Sequence, residues 1–185
     1  MKRKTIAGLI AVVAIAVAVM FAGCVEEKAP TPTPTETPTP KTELSLGESA
    51  ILDDIEITVV RFEESHEYEY TFNETVYPAE GAKFLWVYVI AKNVGEVARE
   101  VPDRSDDIEM LYKGEKIFTH NMGGSASSLK RKIYDSPGIF SDQIFPGVIE
   151  EGWILFEVPE GIELSQAKIR VESPTNYKKT VTWSF

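Results

Sequence analysis

The chain has 185 residues, 43% of them hydrophobic and 26% charged, which suits one ordinary domain with extensions and not two full domains. Acids outnumber Lys and Arg by 29 to 19, and a net charge of −10 disfavours nucleic acid and anionic lipid as partners. With one cysteine, no internal disulfide can form.

In chain order, Lys2, Arg3 and Lys4 precede an uncharged apolar run from Ile6 to Ala22. A basic start, an apolar core and small residues before a break make residues 1–23 a secretory signal, with the remainder of the chain outside the membrane. Ala22-Gly23-Cys24 sets the thiol directly after two small residues. This stretch resembles the lipobox of prokaryotic lipoproteins, and the resemblance implies lipidation of Cys24 as the new first residue. The alternative is an uncleaved membrane anchor, because Ile6 to Gly23 is just long enough to cross a bilayer untilted. Both readings make membrane lipid a partner and put the protein on the outer face of a cell membrane.

Residues 24–42 are rich in alternating Thr and Pro. Proline fixes φ and removes backbone donors, so this stretch is expected to be an extended stalk, reaching roughly 56 Å at about 3.1 Å per residue. Thr-Pro runs also match O-glycosylated stalks in composition.

Residues 43–185 read as strands. Ile55, Ile57 and Val59 alternate with Glu56 and Thr58; Val59-Val60 breaks the alternation and Phe62 resumes on the other phase, which predicts a bulge. Tyr68, Tyr70 and Phe72 alternate with Glu67, Glu69 and Thr71. Phe84 to Ala91, FLWVYVIA, is apolar on both faces and predicts a central strand. Ile108–Tyr112 and Glu115–Thr119 flank Lys113-Gly114 as a hairpin. Trp153–Val158 is a second core strand, and Ala167–Val171 and Thr180–Phe185 complete the series. Turn signals at Asn93-Val94-Gly95, Pro137-Gly138 and Pro146-Gly147 separate these runs. There is no internal repeat and no helical periodicity. The expected fold is all-β: an antiparallel immunoglobulin-like β-sandwich of about 7–9 strands.

Four stretches then carry a family resemblance: LGESAILDDIEITVVRF, GAKFLWVYVIAKNVG, IEMLYKGEKIF and FPGVIEEGWILFEVPEG, in that order from residue 46 to residue 161. The series resembles a family of secreted immunoglobulin-like domains of unknown function that often sit on prokaryotic lipoproteins. Their fold is similar to that of a mycobacterial immunoprotective secreted antigen. The resemblance implies fold and location; it brings no catalytic residues and no cofactor.

The chemistry-bearing residues are few. His66 and His120 would need each other and an acid such as Glu64 or Asp135 to hold a metal; otherwise they are surface histidines. The loop from His120 to Ser125 lacks the G-x-S-x-G setting of a nucleophile elbow. Asp103, Asp106, Asp107 and Glu109 could offer oxygen ligands to calcium, but the EF-hand order is missing and a solvated acidic loop explains them too. No metal is therefore assigned. Asn73-Glu74-Thr75 is a glycosylation sequon. Trp86 and Trp153 are expected in the core, and Trp183, near the C-terminus, partly exposed. The segment Glu64 to Tyr77 is long for the family. Tyr68, Tyr70 and Phe72 share one face of it, as a partner contact or as strand residues laid on the core.

The expected function is a membrane-anchored extracellular lipoprotein carrying a non-catalytic interaction module for an unknown protein or cell-envelope partner. The alternative is a small-solute or metal-ion binding lipoprotein associated with a transporter.

Overall fold

The computed structural model describes residues 43–69, 74–120, 131–134 and 143–185. The strands, in chain order, are β1 (Glu43–Ser45), β2 (Ser49–Leu52), β3 (Ile55–Ser65), β4 (Tyr68–Glu69), β5 (Thr75–Val76), β6 (Ala82–Asn93), β7 (Arg99–Glu100), β8 (Ile108–Tyr112), β9 (Glu115–Ile117), β10 (Gln143–Ile144), β11 (Ile149–Pro159), β12 (Ala167–Glu172) and β13 (Thr180–Ser184). Nine of them form two main sheets, ordered β1-β13-β12-β8-β9 and β11-β6-β3-β2; β4-β5 and β10-β7 are small pairs. All pairings are antiparallel except β1 with β13, which is parallel. Among the described residues no helix is long and apolar enough to cross a membrane.

The two sheets face each other across a packed core. From the four-stranded sheet come Ile55, Ile57 and Val59, Leu85, Val87 and Val89, and Ile154, Phe156 and Val158. From the five-stranded sheet come Ile108, Met110, Ile169, Val171, Val181 and Trp183. Trp183 departs from its expected exposure: it is 0% exposed, and its Nε1 donates to the Glu48 carbonyl at 2.8 Å. The reason is pairing, since β1 and β12 flank β13 on both sides and leave it off the sheet edge.

The predicted bulge is present. The β3–β6 register runs through Val59↔Val89 and then shifts to Arg61↔Tyr88. One extra residue swaps the two faces of the strand beyond it. Phe62 accordingly turns inward to meet Phe185 at 5.1 Å, and Arg61 and Glu63 turn to the outer face.

That outer face explains why FLWVYVIA is apolar on both sides. Phe84, Trp86, Trp153 and Leu155 form a second buried cluster with Tyr68 and Ile133, against which Tyr88 and Val76 pack. Two pieces of chain cover it. One is the β4–β5 hairpin. The other is the segment 131–134, which lies along the free edge of β11: Trp153 N–H donates to the Lys132 carbonyl at 2.9 Å and Tyr134 N–H to the Trp153 carbonyl at 3.0 Å. Gly152 permits this approach, because a Cβ there would stand 2.2 Å from the Tyr134 nitrogen and 2.4 Å from the Ile133 carbonyl carbon. The same edge takes His120 N–H at the Leu155 carbonyl, 2.7 Å. An edge strand is thus closed over much of its length.

Candidate binding face

The cross-strand register sets three side chains of the outer face in one row: Arg61 on β3, Tyr88 on β6 and Trp153 on β11. The next row is Glu63, Trp86 and Leu155. The Arg61 guanidinium lies 5.3 Å from the Tyr88 ring centre and 5.1 Å from that of Trp153. Arg131, from the covering segment, lies 5.0 Å from the Trp86 ring and 4.9 Å from the Trp153 ring. Two cations therefore sit on an aromatic surface whose π faces attract them.

The two arginines differ in what they have left to offer. Arg131 Nη1 donates to Glu63 Oε2 at 2.7 Å. Arg61 Nε is 3.9 Å from Glu63 Oε1, beyond hydrogen-bond range, and its side chain is 61% exposed. Stacking holds the guanidinium in place, and among the described residues its N–H groups make no hydrogen bond. A guanidinium N–H edge suits a carboxylate or phosphate in bidentate geometry. Beside it, burial and then the nearby Glu151 carboxylate push the Tyr88 phenol above its ordinary pKa, so that hydroxyl stays neutral. Sequence reasoning missed this face. The bulge was the available signal, because it re-aims the residue after it.

The sequence-predicted residues fall elsewhere. Tyr68 is 8% exposed, with its ring 5.2 Å from Phe84, 5.7 Å from Trp86 and 6.3 Å from His120. As a contact-surface residue it is corrected to a core residue: the outer face of the sheet is apolar, and this ring helps to bury it. Tyr70, Phe72, Asn73, Cys24 and the whole of residues 1–42 lie outside the described residues, as do Asp135 and the loop 121–130.

The acidic run is split by its own hydrogen bonds. Asp103 Oδ1 accepts the N–H of Ser105 at 2.7 Å, and Asp107 Oδ2 accepts the N–H of Asp103 at 2.8 Å. Burial pushes the Asp107 carboxyl above its ordinary pKa. Glu109 faces away from this loop into ion pairs with Lys116, at 2.6 Å, and Arg170. Among the described residues no three His, Cys, Asp or Glu side chains are grouped to hold a metal ion. The two histidines likewise stay separate. His66 Nε2 meets Glu160 at 3.0 Å, His120 Nδ1 meets Glu157 at 3.0 Å, and Glu64 pairs with Lys83 at 3.0 Å.

A charged clasp closes one end of the sandwich. Asp53 (φ 47°) and Asp54 (φ 68°) form the β2–β3 turn, both left-handed, as a tight two-residue hairpin requires. Asp53 accepts hydrogen bonds from Lys179 Nζ, Ser173 Oγ and Thr175 Oγ1. Lys179 first and Ser173 second bring its pKa down to about 2. Asp54 Oδ2 accepts from Arg99 Nε at 2.9 Å and Nη2 at 2.6 Å. These residues line an open depression of about 450 Å³. Each carboxylate there has its cation, so the clasp reads as a fastening between the sheets.

A conserved hypothetical protein of Bacillus anthracis is similar in structure, with a TM-score of 0.51 at 14% identity over 75% of this chain and 94% of that one. The yjhA protein of Bacillus subtilis gives 0.50 at 12% identity, over 76% and 98%. An uncharacterized beta-sandwich protein of Clostridium difficile gives 0.47 at 17% identity, over 83% and 99%. At such identities the likeness of the two Bacillus proteins speaks for the fold alone. No curated protein sequence matches the chain. The model of the family described as a domain of unknown function, DUF4352, matches residues 44–181, and the chain belongs to that family.

Proposed function

We propose that this protein is a membrane-anchored extracellular lipoprotein carrying a non-catalytic interaction module. In this reading Cys24 is the anchor and residues 24–42 are the spacer. The face around Arg61 takes an acidic partner, a protein or envelope polymer bearing carboxylate or phosphate groups. The observation that carries the binding role is the Arg61 guanidinium, stacked on Tyr88 and Trp153 and hydrogen-bonded to no carboxylate among the described residues. Arg61 and Arg131 bring two guanidinium groups to a face that also carries Glu63, Glu150 and Glu151, and of the two arginines only Arg61 makes no hydrogen bond to Glu63. The exported location rests on the signal and the lipobox resemblance in residues 1–24. A solute-binding role beside a transporter would need a cavity between the sheets, and Ile57, Val59, Leu85, Val87 and Met110 occupy that space.

The test is an NMR titration of ¹⁵N-labelled protein with poly-glutamate and, separately, polyphosphate. The Arg61 Nε–H resonance should shift with one of them, and Arg61→Ala should weaken that binding at least about tenfold, as loss of a charge-assisted pair does. Binding unchanged by Arg61→Ala, or no binding of either probe, would refute the assignment of this face.

A further inference from the structure

We infer that the clasp end of the sandwich rests on the surface of the bilayer to which the chain is tethered, with its apolar side chains at the headgroup–acyl boundary of neutral lipid. This goes one step beyond the proposed anchor and rests on it. Two observations meet at that end. The first is where the tether joins. β1 runs parallel to β13, from Glu43 opposite Thr182 to Ser45 opposite Ser184, so the chain comes to Glu43 from the side of Thr180 and the loop 173–179. That loop is the one bound by Asp53, which places the Asp53-Asp54 turn at the same end. Forty-two residues precede Glu43, and their attachment point is therefore on the clasp side.

The second observation is an exposed apolar patch on that side. The β2–β3 turn reaches the loop after β6 through Val94 N–H, which donates to the Asp54 carbonyl at 2.8 Å. Buried Asn93 then gathers the patch: its side chain donates to the carbonyls of Val97 and Ile144, its N–H donates to Val148, and its carbonyl accepts from Gly147. Around this node stand Val94, Val97, Phe145, Val148 and Ile149, all exposed, with Phe145 at 72%. Clustered exposed apolar side chains mark contact surfaces. The tether keeps such a patch within roughly 56 Å of the lipid at the full reach of its spacer, so shallow contacts too weak for a free protein become intramolecular. Lys179 and Arg99 offset Asp53 and Asp54, but Glu96, Glu100 and Asp106 remain on this side, and they disfavour anionic lipid.

The experiment uses the full-length, anchored protein in phosphatidylcholine vesicles with brominated acyl chains, which quench tryptophan on contact. Phe145→Trp reports the clasp end. Tyr77→Trp, 67% exposed and next to the turn where Ala79 meets Glu157, reports the opposite end. The native tryptophans, Trp86, Trp153 and Trp183, are buried and common to both variants. The added emission of Phe145→Trp should be quenched several-fold more than that of Tyr77→Trp, and less when the vesicles are rich in anionic lipid. Equal quenching, or none at Phe145→Trp in a protein that floats with the vesicles, would overturn this inference alone. A protein that does not float would overturn the anchor and this inference together. Emission of Phe145→Trp that shifts with protein concentration in the absence of lipid would give the patch to a second copy of the chain.

Discussion

Replacing Gly152 by alanine probes the covered edge of β11 with a single methyl group. The new Cβ would stand 2.2 Å from the Tyr134 nitrogen, 2.4 Å from the Ile133 carbonyl carbon and 2.8 Å from its oxygen. All three are backbone atoms, so no side-chain rotation relieves the clash; the segment 131–134 must move away by about 1 Å or more. Its two hydrogen bonds with Trp153 would break, at about 1 kcal/mol each. Ile133, 5% exposed, would lose much of its burial, worth roughly 1.5–3 kcal/mol. The alanine returns about 0.5–1 kcal/mol by restricting the unfolded chain. The net expectation is a loss of about 3 kcal/mol, or a Tm lower by roughly 6–12 °C for a domain of this size. Urea unfolding followed by tryptophan emission measures it. Trp153 lies under the displaced segment, so the folded variant should also emit further to the red. Stability within about 1 kcal/mol of wild type, with unshifted emission, would show that nothing packs on Gly152.

Tyr68→Ala should cost about 3 kcal/mol in the same assay, as truncation of a buried aromatic ring does, whereas a surface tyrosine would cost under 1 kcal/mol. Tyr134→Phe should raise stability by about 1 kcal/mol, because the Tyr134 hydroxyl is buried without a hydrogen-bond partner among the described residues; a loss instead would reveal a bond. Asp53 has its pKa lowered from 3.8 to about 2 by Lys179 and then Ser173. Its contribution is therefore complete above pH 4 and is lost as pH falls from 4 to 2. The effect is about 1 kcal/mol after allowance for solvent screening. Asp53→Asn, which also tolerates the left-handed backbone, should flatten that part of a stability–pH curve; an unchanged acid limb would remove Asp53 as its source.

Much of the fold is legible in the sequence because its signals are local. Ile55, Ile57 and Val59 announce a half-buried strand, Val59-Val60 its bulge, and Lys113-Gly114 a tight hairpin with both residues left-handed. FLWVYVIA announces a strand with no exposed face. What covers the second face is not local. Ile133 and Tyr68 reach it from segments far apart in the chain, and alternation alone cannot tell a tyrosine laid on that face from one offered to a partner. The burial of Trp183 depends on β1 pairing in parallel across the whole length of the domain, which no nearby residue signals. Asp53-Asp54 replaces the glycine-containing pair that marks such turns, and so hides the clasp. The candidate face needed a bulge, a register and a distant Arg131 to be set together before its cations could be placed.

The tether itself is tested most directly by the intact mass of the protein extracted from membranes. A chain that begins at Cys24 and carries added acyl or ether lipid is the predicted result, with two or more lipid chains expected for stable retention. A chain that still begins at Met1, with Cys24 unmodified, would contradict lipid anchoring.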